Sequence, residues 1–206
     1  MIWMDTVLVS PSDRSMFGER ILRGHRVWDP YRSKLAALAY LGHGVDLPPS
    51  LRVLYLGAAH GTTVSHIADY VECVYAVEMA PRPMEDLLSL ARLYGNIVPV
   101  MGDATRPAEY APLLEPVGLL YLDVASPRQA EIACAHRIFL EEGGLLVLMV
   151  KTRSIDSTAD PDEVTRRVIA EISPFFLVKA VVPLDPYHRD HRALLCEAER
   201  GGPGGA

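Results

Sequence analysis

Hydrophobic positions near the start of the chain follow no long period. Short alternating stretches around 6–9 and 25–28 predict two small strands. The spacing of Leu35, Leu38 and Leu41 predicts a helix over 30–41. Beyond the turn marked by Pro48 and Pro49 the pattern changes. Short apolar runs at 52–57, 73–78, 97–101, 117–123 and 145–151 alternate with helix-like stretches at 62–70, 81–94, 107–115 and 127–140. Such alternation predicts right-handed parallel crossovers with helices on both faces of a sheet. A last helix over 161–172 precedes strand patterns at 175–183 and 192–198, near enough to pair antiparallel at one edge. The expected architecture is α/β and Rossmann-like. A small N-terminal β appendage occupies 1–30, the α/β domain 31–200, and a glycine-rich, flexible tail 201–206.

Polar residues collect where the apolar runs stop. Leu-Gly-Ala-Ala-His-Gly-Thr-Thr at 56–63 carries the first strand through a small-residue turn into a helix. The next three strands end on Glu78, Asp103 and Asp123. A doubly wound sheet binds its ligand at the carboxyl ends of its strands. Glu78 lies 21 residues past Gly57, the spacing at which an acid meets ribose hydroxyls. The turn is neither a full G-x-G-x-x-G nor a Walker loop. Acids suit a ligand with an ammonium and a sulfonium better than a diphosphate, which points to S-adenosylmethionine. One strand-end acid is equally well read as a helix cap; three in succession are not. Parallel strands closed by an antiparallel hairpin also resemble the seven-stranded sheet of class I methyltransferases.

Composition narrows the setting. Half of the 206 residues are hydrophobic, enough for a sizeable core. No apolar run nears the roughly 18 residues needed to span a membrane, and the Met1 end lacks the order of a signal peptide. Cys73, Cys134 and Cys196 read as reduced core thiols of a cytoplasmic protein. His188 and His191 are three apart but form no zinc pattern. Net charge is −6, with a positive balance confined to residues 1–34. An enzyme that grips a polyanion unaided shows a basic surface, so a nucleic-acid substrate would have to be delivered by something else.

Lysine usage points to the chemistry. Lys34, Lys151 and Lys179 are the only lysines among 20 basic residues. Arginine stays protonated, whereas a desolvated or crowded lysine amine can lose its proton. Lys151 ends an apolar strand beside Asp123, so it is the candidate group acting on a substrate hydroxyl, with Asp123 orienting it and Lys34 and His191 binding or tuning. The bland alternatives are snorkelling lysines and a His191 that caps the edge hairpin near Asp190. His60 and His66 are assigned to packing. Trp3 and Trp28 either stack nucleobases or, the preferred reading, anchor the appendage. Ser126, Asp123 and His191 lack the nucleophile elbow of a hydrolase.

Taken together, Leu-Gly-Ala-Ala-His-Gly-Thr-Thr-Val-Ser-His, Ala-Val-Glu, Gly-Asp-Ala, Leu-Asp-Val-Ala-Ser-Pro-Arg-Gln, Val-Lys-Thr-Arg-Ser-Ile-Asp and Leu-Asp-Pro-Tyr-His-Arg-Asp-His resemble the fibrillarin family in its archaeal form. The resemblance spans about 18–197. His60 stands where that family usually has Ser, and the N-terminal β region looks shorter than usual. The resemblance implies methyl transfer from S-adenosylmethionine to ribose 2′-hydroxyls of rRNA and tRNA, with no metal. It implies Gly57, Ala58, Thr62 and Thr63 at the loop, Glu78 and Met79 at the cofactor ribose, Asp103 and Ala104 at adenine, and Asp123, Val124, Ala125 and Ser126 at the methionine end. The implied catalytic set is Lys34, Asp123, Lys151 and His191. Implied partners are a Nop-domain scaffold protein, a box C/D guide RNA and a kink-turn-binding ribosomal-type protein, with no membrane contact. The rival readings are a stand-alone methyltransferase acting on a protein side-chain amide, and a non-catalytic structural subunit of such a particle.

Overall fold

In the computed structural model, which describes residues 1–199, the chain begins with β1 (Ile2–Met4), β2 (Val7–Ser10), β3 (Ile21–Leu22) and β4 (His25–Val27). These form an antiparallel sheet in the order β1-β2-β4-β3. The sequence pattern predicts only two of the four. β1 and β3 are too short to show a period, and β3 and β4 meet at a two-residue turn with positive φ at Arg23 and Gly24. The tail expected over 201–206 lies outside the described residues.

The larger unit follows: α1 (Lys34–Tyr40), β5 (Arg52–Leu56), α2 (Thr62–Ala68), β6 (Cys73–Glu78), α3 (Pro81–Ala91), β7 (Ile97–Met101), β8 (Val117–Leu122), α4 (Gln129–Ala135), β9 (Leu140–Lys151), α5 (Thr152–Ile155), α6 (Pro161–Ile172), β10 (Phe176–Pro183) and β11 (His191–Ala198). Seven strands make one sheet in the order β10-β11-β9-β8-β5-β6-β7. β9, β8, β5, β6 and β7 run parallel; β11 is antiparallel to β9 and to β10. The central strands are apolar on both faces because helices cover both.

Three segments differ from expectation for local reasons. The helix expected over 107–115 is two 3₁₀ turns, Pro107–Glu109 and Ala111–Leu113. Pro112 has no N–H for a helical bond and its ring crowds the preceding turn. The helix expected over 127–140 stops at Ala135, and a 3₁₀ turn (Arg137–Phe139) follows. The Nδ1 of buried His136 sits 2.7 Å from the Ile132 carbonyl oxygen, within the helix's last turn. β9 starts at Leu140 instead of 145, with a register shift against β8 accommodated around Gly143, whose φ is +72°.

The sheet separates two cores. One face packs Tyr55, Tyr121, Val147 and Met149 against α1, α2 and α3. Leu8 of the small sheet and Trp28, which directly follows that sheet, join that same core, fully buried. Trp28 lies parallel to His66 with ring centroids 4.8 Å apart, so it anchors the small sheet and offers no face to RNA. A buried polar network completes the junction. Arg26 Nη2 lies 2.7 Å from Asp69 Oδ2, Ser10 Oγ donates to the same carboxylate at 2.5 Å, and Tyr94 donates to Oδ1 at 2.9 Å. The other face packs β8 and β9 against α4 and α6. Asp160 caps α6 by accepting from the Asp162 and Glu163 amides, with Pro161 in the first turn.

Candidate active site

β5 and β8 are neighbours from which the chain winds outward in opposite directions, and a crevice opens beyond their carboxyl ends. The cleft there has a volume of about 500 Å³, within the usual range for small-molecule sites. Gly57, at φ +80°, forms its floor. A Cβ at this position would stand 2.9 Å from the Asp123 carbonyl oxygen, so the approach of the two strand ends requires glycine. Gly61 starts α2 at φ +88°, where a Cβ would meet Leu90 at 2.8 Å.

The three strand-end acids all line this cleft. Glu78 bridges its surroundings: Oε2 accepts from the Ala59 amide at 2.9 Å and Oε1 from the Ala80 amide at 2.8 Å. Asp103 Oδ1 accepts from the Thr105 amide at 2.8 Å, and that bond holds the Asp103 carboxyl below the usual carboxylate range. Met79, Ala104, Val124, Ala125, Ser126 and Lys151 also line it. Lys151 is the only basic residue in that lining, which leaves the cleft a poor cradle for a diphosphate and a good one for a cationic ligand. Ala58, Thr62 and Thr63 are not among the lining residues.

Asp123 joins the cleft to a cationic cluster. Lys34 Nζ donates to Asp123 Oδ2 at 2.9 Å. Lys151 Nζ lies 2.9 Å from Oδ1 but directs its hydrogen bond to the Asp123 main-chain oxygen at 2.7 Å, so Oδ1 has ion-pair contact without a hydrogen bond. All three side chains keep less than a fifth of their surface exposed. Beneath them Tyr55 and Tyr121 stack with centroids 4.5 Å apart. Burial drives both phenols well above their ordinary pKa.

Several local devices place these groups. Ser33 caps α1, so Lys34 opens that helix. Thr63 Oγ1 donates to Ser33 Oγ at 3.0 Å, tying α2 behind the glycine turn to the helix that carries Lys34. Gln129 is wholly buried: Nε2 donates to the Val124 and Met149 carbonyls at 2.9 Å each, and Oε1 accepts from the Lys151 amide at 3.0 Å. Sequence reading notes Gln129 as part of a motif but gives it no role. The detectable signal is an uncharged amide at the first position of a helix following a strand-end acid.

His191 begins β11 and pairs with Lys151 across the ladder, one residue earlier than the expected strand start at 192. Its Nδ1 contacts the Arg189 carbonyl at 2.8 Å, a contact that needs the proton on Nδ1. Burial, then repulsion by Lys34 and Lys151, lowers its pKa. His188 contacts the Pro30 carbonyl through Nε2 at 2.9 Å, and its ring centroid is 6.1 Å from that of His191. Among the described residues no group of three or more acids, histidines and cysteines is placed to hold a metal, and no helix is long and apolar enough to cross a membrane.

The sheet order, with an antiparallel pair ending an otherwise parallel sheet, defines the class I methyltransferase fold. The family model for fibrillarin matches residues 5–200, and the chain belongs to that family. It is 60% identical over 196 residues to the fibrillarin-like rRNA/tRNA 2′-O-methyltransferase of Methanoculleus marisnigri, covering 95% of this chain and 98% of that protein. It is similar to fibrillarin from a solved fibrillarin/Nop5p complex, with a TM-score of 0.90 and 44% identity over 95% of this chain and 96% of that one. Aeropyrum pernix fibrillarin, solved with natively bound S-adenosyl-L-methionine, matches with a TM-score of 0.83 and 41% identity over 92% and 88%.

Proposed function

We propose that this protein methylates ribose 2′-hydroxyls of rRNA and tRNA with S-adenosylmethionine, as the catalytic subunit of a box C/D ribonucleoprotein. The observation that carries this reading is Asp123, which belongs at once to the acid-lined cleft and to the Lys34–Asp123–Lys151 cluster. A hydroxyl brought to the open side of that cluster would face the inner end of the cleft. Glu78 and Met79 would hold the cofactor ribose, and Asp103 and Ala104 its adenine. Asp123, Val124, Ala125 and Ser126 would hold its methionine end. Gly57 and Ala58 supply the close-approaching turn, while Thr62 and Thr63 set the helix behind it.

S-adenosylmethionine supplies an electrophilic methyl group when bound. Lys151 Nζ would take the hydroxyl proton as the methyl group passes from the sulfonium sulfur to the ribose oxygen. The Asp123 carboxylate stabilises the ammonium so formed. Lys34 holds the other carboxylate oxygen, and His191 adjusts the local charge. Proximity supplies much of the acceleration.

The fibrillarin/Nop5p complex of a relative supports a Nop-domain scaffold as partner. Box C/D guide RNA and a kink-turn-binding protein follow from the family reading and from the acidic balance of −6, which leaves a lone subunit little grip on RNA. Three unpaired cysteines support a cytoplasmic setting. The test is incorporation of labelled methyl groups into target RNA by the protein with scaffold, kink-turn protein and guide RNA. Ribose 2′-O-methylation that depends on the guide is expected. Labelling that is absent, or that appears on protein instead, overturns the reading.

A further inference from the structure

The site has a rim made from two chain segments clasped together. Residues 29–33 lead into α1 and Lys34, and residues 184–190 lead into β11 and His191. His188 Nε2 donates to the Pro30 carbonyl at 2.9 Å, and Tyr31 packs edge-on against Tyr187 with centroids 5.1 Å apart. Tyr187 in turn lies 6.0 Å from Tyr40 of α1. The Tyr31 amide donates to Asp29 Oδ1 at 2.8 Å, which closes the turn. Tyr31 is thus held at both backbone and ring, yet 65% of its surface is exposed, three residues from Lys34. An aromatic ring held by Tyr187 along one side and otherwise open to solvent leaves an apolar face free for a partner.

The charges around it are sorted in the same sense. Arg32 and Arg189 are both exposed. Arg32 Nη1 donates only to the Phe17 carbonyl at 3.0 Å, and neither guanidinium pairs with a carboxylate among the described residues. The neighbouring acids are already engaged: Asp190 with Arg153 at 3.3 Å, Asp185 with Arg192 at 3.6 Å, and Asp29 with the Tyr31 amide. A protein of net charge −6 therefore carries, on the two segments that hold the ring, one guanidinium each that is exposed and free of any carboxylate partner among the described residues.

We propose that this rim seats the RNA strand next to the methylated ribose: the Tyr31 ring stacks on a base, and Arg32 and Arg189 hold the adjoining phosphates. This rests on the 2′-O-methyltransferase reading and adds residues outside its catalytic and cofactor sets. Stacking on an aromatic ring tolerates any base, which suits a site whose target sequence is chosen elsewhere.

The test uses the assembled particle with S-adenosylmethionine and a titrated target RNA. Tyr31→Ala is expected to raise the KM for RNA by about 5- to 150-fold, the range of one lost base–aromatic stack. S-adenosylmethionine affinity, measured by calorimetry, should be unchanged. Tyr31→Phe should keep the wild-type KM, and Tyr31→Leu, which fills the space without a π-face, should behave like Ala. The double change Arg32→Gln with Arg189→Gln should flatten the salt dependence of KM. A KM within twofold of wild type for Tyr31→Ala, or rescue by Leu, overturns the stacking platform while leaving the methyltransferase reading intact. Loss of scaffold capture at unchanged RNA KM makes the rim a protein contact and equally overturns it. Failure of the wild-type particle to methylate ribose sinks the underlying reading instead.

Discussion

Lys151 is held at three points by two neighbours, each contact with a separate job. The Asp123 carboxylate lies 2.9 Å from its Nζ, the Asp123 carbonyl accepts a hydrogen bond from Nζ at 2.7 Å, and Gln129 fixes its backbone amide at 3.0 Å. An arginine there would keep the charge and lose the group that can give up a proton. Lys151→Arg should therefore lower single-turnover methyl transfer in the assembled particle by roughly 10²-fold or more, the usual scale for a positioned acid–base group. Calorimetric affinity for S-adenosylmethionine should hold, because Glu78 and Asp103, the acids proposed to hold the cofactor, remain. Lys179 lies on the edge strand β10, paired with Glu197 at 2.8 Å, so Lys179→Arg serves as the silent control. Near-normal turnover for Lys151→Arg would reduce the residue to an electrostatic clamp.

At the scale of elements, the site depends on how strand ends are tied to helix starts. Gln129 at the start of α4 is the tie for β8 and β9, and a single buried amide satisfies two carbonyls and one N–H. Gln129→Leu keeps the volume and orphans all three. A buried group left without its partner costs about 1–3 kcal/mol. The urea midpoint should fall accordingly at unchanged slope. Turnover should suffer more than cofactor affinity, because the loss frees the Lys151 amide and reaches the proposed cofactor site only at Val124, leaving Glu78 and Asp103 untouched. Equal losses of kcat and cofactor affinity would mean that Gln129 supports the fold at large. Local rules explain where elements departed from periodicity: Pro112 splits the segment at 107–115, and the short partners of the N-terminal hairpins lack the length to register as strands.

For the whole molecule, the small sheet and the α/β unit share one core and one buried polar network, so the two should unfold together. His66 reports on that junction. Burial, followed by repulsion from Arg26 and Arg32, lowers its pKa from 6.5 to about 2. A depressed folded-state value means the unfolded chain takes up the proton first. Stability from this group is complete above pH 6.5 and is lost as pH falls from there toward 2. Each pH unit in that window removes about 1.4 kcal/mol. Thermal melts should show one transition whose midpoint falls between pH 7.5 and pH 5, with a shallower fall in His66→Gln. Two separate transitions would show that the junction does not couple the units. Charge acts at the same scale. The isolated protein should bind RNA weakly, since phosphate contacts dominate such affinity and the overall balance is −6. Tight, salt-sensitive binding by the lone chain, seen in a filter or anisotropy assay, would contradict delivery by a particle.

The α/β alternation, the glycine turn and the three strand-end acids were legible in the chain because each rests on near neighbours: apolar runs of strand length, a turn that needs small residues, and acids where those runs stop. The scarcity of lysine singled out Lys34 and Lys151, and the motifs carried the family. What the chain alone could not show is how far-separated segments meet. Lys34 and Asp123 are 89 residues apart in sequence and 2.9 Å apart in space. Thr63 bonds to Ser33, 30 residues away, and His191 enters the strand opposite Lys151. Gln129 and the Tyr31 rim emerged only from packing, as did the burial that commits Trp28 to the core. Backbone propensities and turn chemistry act over a few residues, so sequence encodes them directly. Side-chain partners, burial and the electrostatics they create depend on which strand lies beside which, and that is settled only when the sheet closes.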